Sequence, residues 1–138
     1  MPRMFAAHGT LDLFVKDRIL RLEGTGPWNL ESLDESGELA DPMIEELIKQ
    51  PWAVLVILHG ECIYVHEAGQ RLTEIVRREK TQNRVATAIL VNDCDSPNFA
   101  QQHIGDIYKN AGEKFKFFDN EDSAEIWLKQ QLAAVVKD

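Results

Sequence analysis

The chain has 138 residues, 44% hydrophobic and 28% charged, enough for one globular domain with a true core. Its 15 basic residues face 23 acidic ones, a formal net charge of -8. This excludes nonspecific nucleic-acid binding, which runs on phosphate neutralisation by Lys and Arg, and no apolar run reaches the roughly 18 residues of a membrane-spanning helix. Two cysteines, Cys62 and Cys94, suit a reducing cytosol and do not suggest a disulfide framework. The opening "MPRMFAAHGT" has too short an apolar stretch for an export signal. A cytoplasmic protein without membrane insertion is expected.

Residues 1–10 read as an N-terminal segment and 11–136 as the domain. "LDLFVK", residues 11–16, alternates Leu11, Leu13 and Val15 against Asp12 and Lys16, the period of a half-buried strand. "DR" then leads into "ILRLEG", so a tight antiparallel hairpin is predicted, stopped by Gly24, Gly26 and Pro27. From Asn29 to Gln50, Leu33, Ala40, Ile44 and Leu47 recur at helical spacing. Asp41-Pro42 has the form of a fresh helix start, which predicts a break or kink there and a firmer helix over 42–49.

"WAVLVIL", residues 52–58, is continuously apolar and rich in β-branched residues, the mark of a strand buried on both faces. "VATAILV", residues 85–91, is its twin. Between them a helix is expected over about 67–80, with the stripe Ala68, Leu72, Ile75, Val76 and Glu79 facing inward. Glu67-Arg71 and Glu74-Arg78 pairs are expected on its outer side, and Arg77, Arg78 and Lys80 on a solvated face. Ser96-Pro97 signals the next helix start, Ala100, Ile104, Ile107, Tyr108 and Ala111 its buried stripe, and Gly112 its end. "FKFF", residues 115–118, reads as a short edge strand. Asp119, Asn120 and Asp122 open a last helix whose inward positions are Ala124, Leu128, Leu132 and Val135, with Trp127 adjoining. The order β-β-α-β-α-β-α-β-α predicts a single α/β domain, with a mostly parallel central sheet and helices packed against it.

Three stretches carry a resemblance: "ILRLEGTGPWNLESL", "AVLVILHGECIYVHEAGQRL" and "FKFFDNEDSAEIWL". With the element order, they resemble the STAS fold of bacterial anti-sigma factor antagonists, and more closely the SpoIIAA-like (STAS/SEC14-like) group of uncharacterised bacterial domains, over about 11–132. Anti-sigma factor antagonists are phosphorylated on a hydroxyl residue directly before a glycine at the corresponding helix start. Here that stretch reads His66-Glu67-Ala68-Gly69, and Ala68 has no hydroxyl to accept phosphate. Glu67 places a fixed negative charge near the helix N-terminus, where it complements the dipole.

The densest run of reactive side chains is "HGECIYVHEAG", residues 59–69, read as the loop between a buried strand and the next helix. His59, Cys62 and His66 are zinc-competent, and Asp93 and Cys94 belong to the same rim of a parallel sheet, where open α/β sheets place their ligands. The spacing lacks the tight ligand pairs of zinc sites. No nucleophile elbow is present, and "GTG" at 24–26 is a turn and not a dinucleotide loop. His103 reads as a partly buried structural histidine, and Asp93, Asp95 and Ser96 as turn and cap residues. Phe14, Trp28, Trp52, Tyr64 and Phe99 are either core or the lining of a pocket for an apolar ligand, as the SEC14-type resemblance implies.

These readings point to a regulatory or binding module acting through protein–protein contacts. It is expected to have no catalytic residues, cofactor or metal, and no nucleic-acid partner. Its contact rim comprises His59, Glu61, Cys62, His66, Glu67, Ala68, Gly69, Asp93, Asp95 and Ser96. Two alternatives stand beside it: a carrier of a small apolar or lipid-like ligand, and a metal-dependent enzyme using residues 59–66 and 93–94. A homodimer through an exposed sheet edge or helix face is compatible with all three.

Overall fold

Asp17 and Arg18 both adopt positive φ, 56° and 67°, and Lys16 pairs directly with Ile19. Two left-handed central residues are what a two-residue type I′ turn requires, and its twist suits the strands it joins. The expected hairpin is therefore present, as β2 (Leu11–Lys16) and β3 (Ile19–Trp28). The computed structural model describes residues 4–5 and 11–135; the rest of the N-terminal segment and position 136 lie outside the described residues.

The remaining elements are β1 (Met4–Phe5), α1 (Leu30–Leu47), β4 (Trp52–Tyr64), α2 (His66–Lys80), β5 (Arg84–Cys94), α3 (Pro97–Asn110), β6 (Phe115–Phe117) and α4 (Glu121–Val135). They form one six-stranded sheet in chain order, β1 to β6. β1, β2 and β3 pair antiparallel, and β3 through β6 pair parallel. The α/β class and the mostly parallel sheet match the sequence reading.

Alternation along β4 divides the core. Val54, Val56 and Leu58 join Leu13, Leu20, Ile89 and Val91 beneath α1, α2 and α3. Ala53, Leu55 and Ile57 join Ala86, Ala88 and Leu90 beneath Ala124 and Leu128 of α4. Each fully buried Leu, Ile or Val contributes about 1.5–3 kcal/mol relative to exposure, which explains why an unbroken apolar strand sits at the centre. Trp127 and Leu132 pack partly against the second cluster, but Val135, expected inward, is exposed in the last turn of α4.

Two other expectations are corrected. Helix α1 runs unbroken through Pro42, although proline leaves the carbonyl four residues earlier without its donor. Ala40, Met43 and Leu47 on both sides of Pro42 are buried in the first cluster, so packing outweighs the lost hydrogen bond. Its start is secured by a capping box between Asn29 and Ser32, and its end by Arg18, which donates to the carbonyls of Leu47, Gln50 and Pro51. On α2, Arg71 does not pair with Glu67; it reaches Asp34 of α1 at 2.9 Å and ties the two helices together.

At the amino end of β5 lies a buried ion cluster. Arg84 donates from Nε to Glu113, from Nη1 to Glu79 and from Nη2 to Thr87, each at 2.7 Å. Lys80 meets the other oxygen of Glu113 at 2.7 Å, so this lysine belongs to the cluster and not to a solvated face. Two cations thus balance two carboxylates.

Candidate functional site

The run 59–69 is not a loop. β4 continues to Tyr64, and α2 begins at His66 after the single residue Val65. The expected strand ended at residue 58 because Gly60 and Glu61 interrupt the apolar run. The chain passes them through Gly60, which has φ +72°, and the register against β5 shifts between Ile57 and His59. Cys62 and Tyr64 then rejoin the three-helix face. The last β4–β5 pair is Gly60 with Cys94, followed by Asp95 N–H donating to the Gly60 carbonyl at 2.8 Å. β3 passes close beneath: a Cβ on Gly26 would lie 1.9 Å from the Glu61 carbonyl oxygen, so this crossing requires glycine.

The same pairing overturns the reading of the cysteines. With Gly60 opposite Cys94, Cys62 and Cys94 have Cα atoms 5.8 Å apart and form a disulfide across 32 residues of sequence. That separation carries no spacing signal, which is why the sequence reading saw two independent thiols. Bonded to each other, they offer no thiolate, and among the described residues no group of three His, Cys, Asp or Glu is placed to hold a metal.

His59 points to the α4 face. Its Nε2 lies 2.7 Å from Glu23 Oε2 and its Nδ1 2.5 Å from Asp93 Oδ2. Only an imidazolium donates to both carboxylates. Partial burial opposes that charge, but the hydrogen bonds to Asp93 and Glu23 outweigh it and raise the histidine pKa above its ordinary value. Glu23 also meets Arg21 at 3.0 Å, and Arg21 is bidentate to Glu121 at the start of α4. A polar chain Asp93–His59–Glu23–Arg21–Glu121 therefore links three strands and a helix. Glu23 was missed from sequence; its signal was the alternation of Arg21 and Glu23 against the buried Leu20 and the partly buried Leu22.

Other rim residues separate by exposure. Ala68 is fully buried and Gly69 is buried, so neither belongs to a contact surface; a Cβ on Gly69 would face Ile107 of α3 at 3.5 Å. Glu61, His66, Glu67, Asp93, Asp95 and Ser96 are exposed. Ser96 takes the N-cap position of α3 as expected, without a side-chain cap bond. His103 accepts from Tyr64 N–H at 3.0 Å and stacks on Phe99 at 5.6 Å, the structural role foreseen for it. Phe99 is 51% exposed and Val65 45%, two large apolar side chains beside the acidic groups. Phe99 walls a surface depression of about 250 Å³ with Glu61, Cys62, Ile63, Asp95 and Ser96.

A second concavity lies between α1, α2 and the sheet. This cavity of about 160 Å³ is lined by Leu20, Leu22, Trp28, Leu33, Ile44 and Leu72, with Glu79, Arg84 and Tyr108 among its polar groups. Trp28 stacks on Tyr64 at 4.6 Å within it, and burial pushes the Tyr64 hydroxyl pKa upward.

No family model matches the sequence, and no curated protein does. Among solved structures, an uncharacterised protein of the DUF3478 family from Shewanella loihica, described as having a SpoIIAA-like fold, superposes with a TM-score of 0.57. The two chains are 16% identical, and the match covers 86% of this chain and 91% of that one. No described helix is long and apolar enough to cross a membrane. The chain has a SpoIIAA-like fold.

Proposed function

We propose that this chain is a non-enzymatic regulatory or binding module that works through protein contacts at the carboxyl ends of its parallel strands. The carrying observation is Phe99, 51% exposed at a depression where Glu61, Asp95 and Ser96 stand beside Cys62, Ile63 and Ala100. Of the other exposed large apolar residues of the described chain, Val65 lies within the rim segment 59–69, while Ile126 and Val135 sit singly on α4, and scattered apolar residues of that kind are ordinary. Residues 59–69 and 93–97 contain four carboxylates, Glu61, Glu67, Asp93 and Asp95, and no Lys or Arg. The matching partner is a protein that inserts an apolar side chain ringed by lysines or arginines. Ala68 denies this surface the phosphate switch of anti-sigma factor antagonists.

The test is affinity capture from the source cells with quantitative mass spectrometry. A partner captured by the native chain should be lost with Glu61→Lys/Asp95→Lys and with Phe99→Ala, and retained with Asp122→Lys on exposed α4. Equal capture by all variants rejects the reading. The proposed location is the cytoplasm, which gives the Cys62–Cys94 bond a particular meaning taken up below.

The cavity beneath α1 favours a second reading, a carrier of a small apolar ligand. Its volume of about 160 Å³ is of the size that apolar cavities use to take up a single aromatic ring. Native mass spectrometry of the purified protein, before and after solvent extraction, decides this reading: a bound small molecule supports it and a bare chain rejects it.

A further inference from the structure

We propose that the Cys62–Cys94 disulfide is a thiol–disulfide exchange site, and that its redox state sets the conformational freedom of the rim. The fold does not depend on this bond. Disulfides are indispensable where a small domain lacks a core, whereas this sheet is packed on both faces by helices. The bond joins only the ends of two strands already paired along their lengths.

The bond acts just past the end of the β4–β5 ladder. The β4–β5 ladder stops at Gly60 with Cys94, and beyond that point β4 pairs with β3, at Tyr64 with Trp28. On the β5 side, residues 61–64 are held by the disulfide and by the Tyr64 N–H bond to His103. Gly60 at positive φ and the register shift beside it mark this as the least regular part of the strand. Breaking the bond frees that segment and leaves the buried runs on either side paired.

Cys62 and Cys94 are only 4% and 7% exposed, but Cys62 lines the surface depression beside Glu61, Asp95 and Phe99, and this is the side from which a small reductant approaches the bond. The reductant is a low-molecular-weight thiol. Its thiolate attacks one sulfur, forming a mixed disulfide and releasing the other cysteine, which takes up a proton. A second thiol attacks the mixed disulfide, leaving two protein thiols and one small-molecule disulfide. Two electrons and two protons pass from the two small thiols to the protein. The biological consequence rests on the contact reading above, because the freed segment carries Glu61 and adjoins Phe99.

The experiment uses the intact chain, purified without reductant and then equilibrated in glutathione buffers of increasing reducing strength. Alkylation followed by intact mass reports the thiols, and hydrogen exchange reports the backbone. The expected result is no alkylation before reduction, two alkyl groups after reduction without denaturant, and restoration by oxidised glutathione. Amide exchange over 61–65 and 95–99 should rise at least tenfold on reduction, with 53–57 and 86–90 unchanged. The double variant Cys62→Ser/Cys94→Ser should unfold cooperatively and reproduce the reduced pattern. Thiols that alkylate in the untreated protein, reduction that needs denaturant, an unchanged rim, or exchange that rises across the whole sheet would each overturn the proposal. No partner enters these measurements, so their failure leaves the contact reading intact, and loss of the contact reading leaves them intact.

Discussion

Replacing Arg84 with methionine removes the centre of the buried cluster while keeping similar volume. Glu113 retains Lys80 at 2.7 Å and the Thr87 hydroxyl at 2.6 Å, but Glu79, 5% exposed, loses the guanidinium that faces it. Removing one partner of a buried ion pair costs about 3–5 kcal/mol, because the surviving charge stays desolvated. Unfolding entropy of about 2.1 cal/mol/K per residue gives roughly 0.29 kcal/mol/K for 138 residues. The expected fall in Tm is therefore about 10–17 °C. Trp52 is a suitable fluorescent reporter, being fully buried with the Arg84 guanidinium 5.8 Å from its ring. Neutralising the orphan with Arg84→Met/Glu79→Gln should recover at least half of the loss, since removing both charges relieves the desolvation that dominates it. A single-variant loss below about 1 kcal/mol, or strictly additive variants, would refute the assignment of the cost to a stranded Glu79.

Glu113 supplies a pH test of the same cluster. Burial works against its charge, but Arg84 and the hydrogen bonds from Lys80, Thr87 and Arg84 hold its pKa below 4.5. Its stabilisation is complete above that ordinary value and lost as pH falls through the lowered one, a trend that denaturation midpoints between pH 6 and pH 3 should show, about 6 and 3 being chosen to bracket the ordinary carboxylate range. His59 runs the other way. With its folded pKa raised, its contribution is complete below 6.5 and lost as pH rises through the folded value. NMR titration of the ring should show the raised value, and Asp93→Asn should bring it down; an unshifted ring rejects the clasp. Gly26→Ala must displace the Glu61 carbonyl, at about 1–3 kcal/mol for overpacking. Faster exchange confined to residues 59–62 is expected, and an unperturbed rim contradicts the tight crossing.

Local patterns were legible wherever one period governed a segment. "LDLFVK" alternates cleanly, and "WAVLVIL" and "VATAILV" are unbroken, so the hairpin and the two central strands followed from sequence. The stripe Ala100, Ile104, Ile107, Tyr108 and Ala111 is buried throughout, and Gly112 ends α3 with φ +76°. What escaped depends on contacts distant in the chain. Pro42 looked like a break because the burial of its neighbours Ala40, Met43 and Leu47 in the first cluster is a tertiary fact. Cys62 meets Cys94 only through the β4–β5 register, and His59 meets Glu23 and Asp93 only because three strands end side by side. Ala68 and Gly69 belonged to the right segment but face the core, a distinction that needs the helix to be rotated into place. Phe99 was expected in the core or lining a pocket; one position before Ala100, it falls outside the stripe that α3 buries and is exposed at a surface depression.

The central claim is that the face around Phe99 meets a partner and other exposed apolar positions do not. Photo-crosslinking in the source cells tests it directly, with a photoreactive phenylalanine analogue at position 99 and, as control, at position 126, where Ile126 is 60% exposed on α4. The account predicts one dominant protein adduct from position 99, carrying a basic surface at the crosslinked site, and none from position 126. Equal labelling from both positions, or a dominant adduct from position 126 alone, would contradict it.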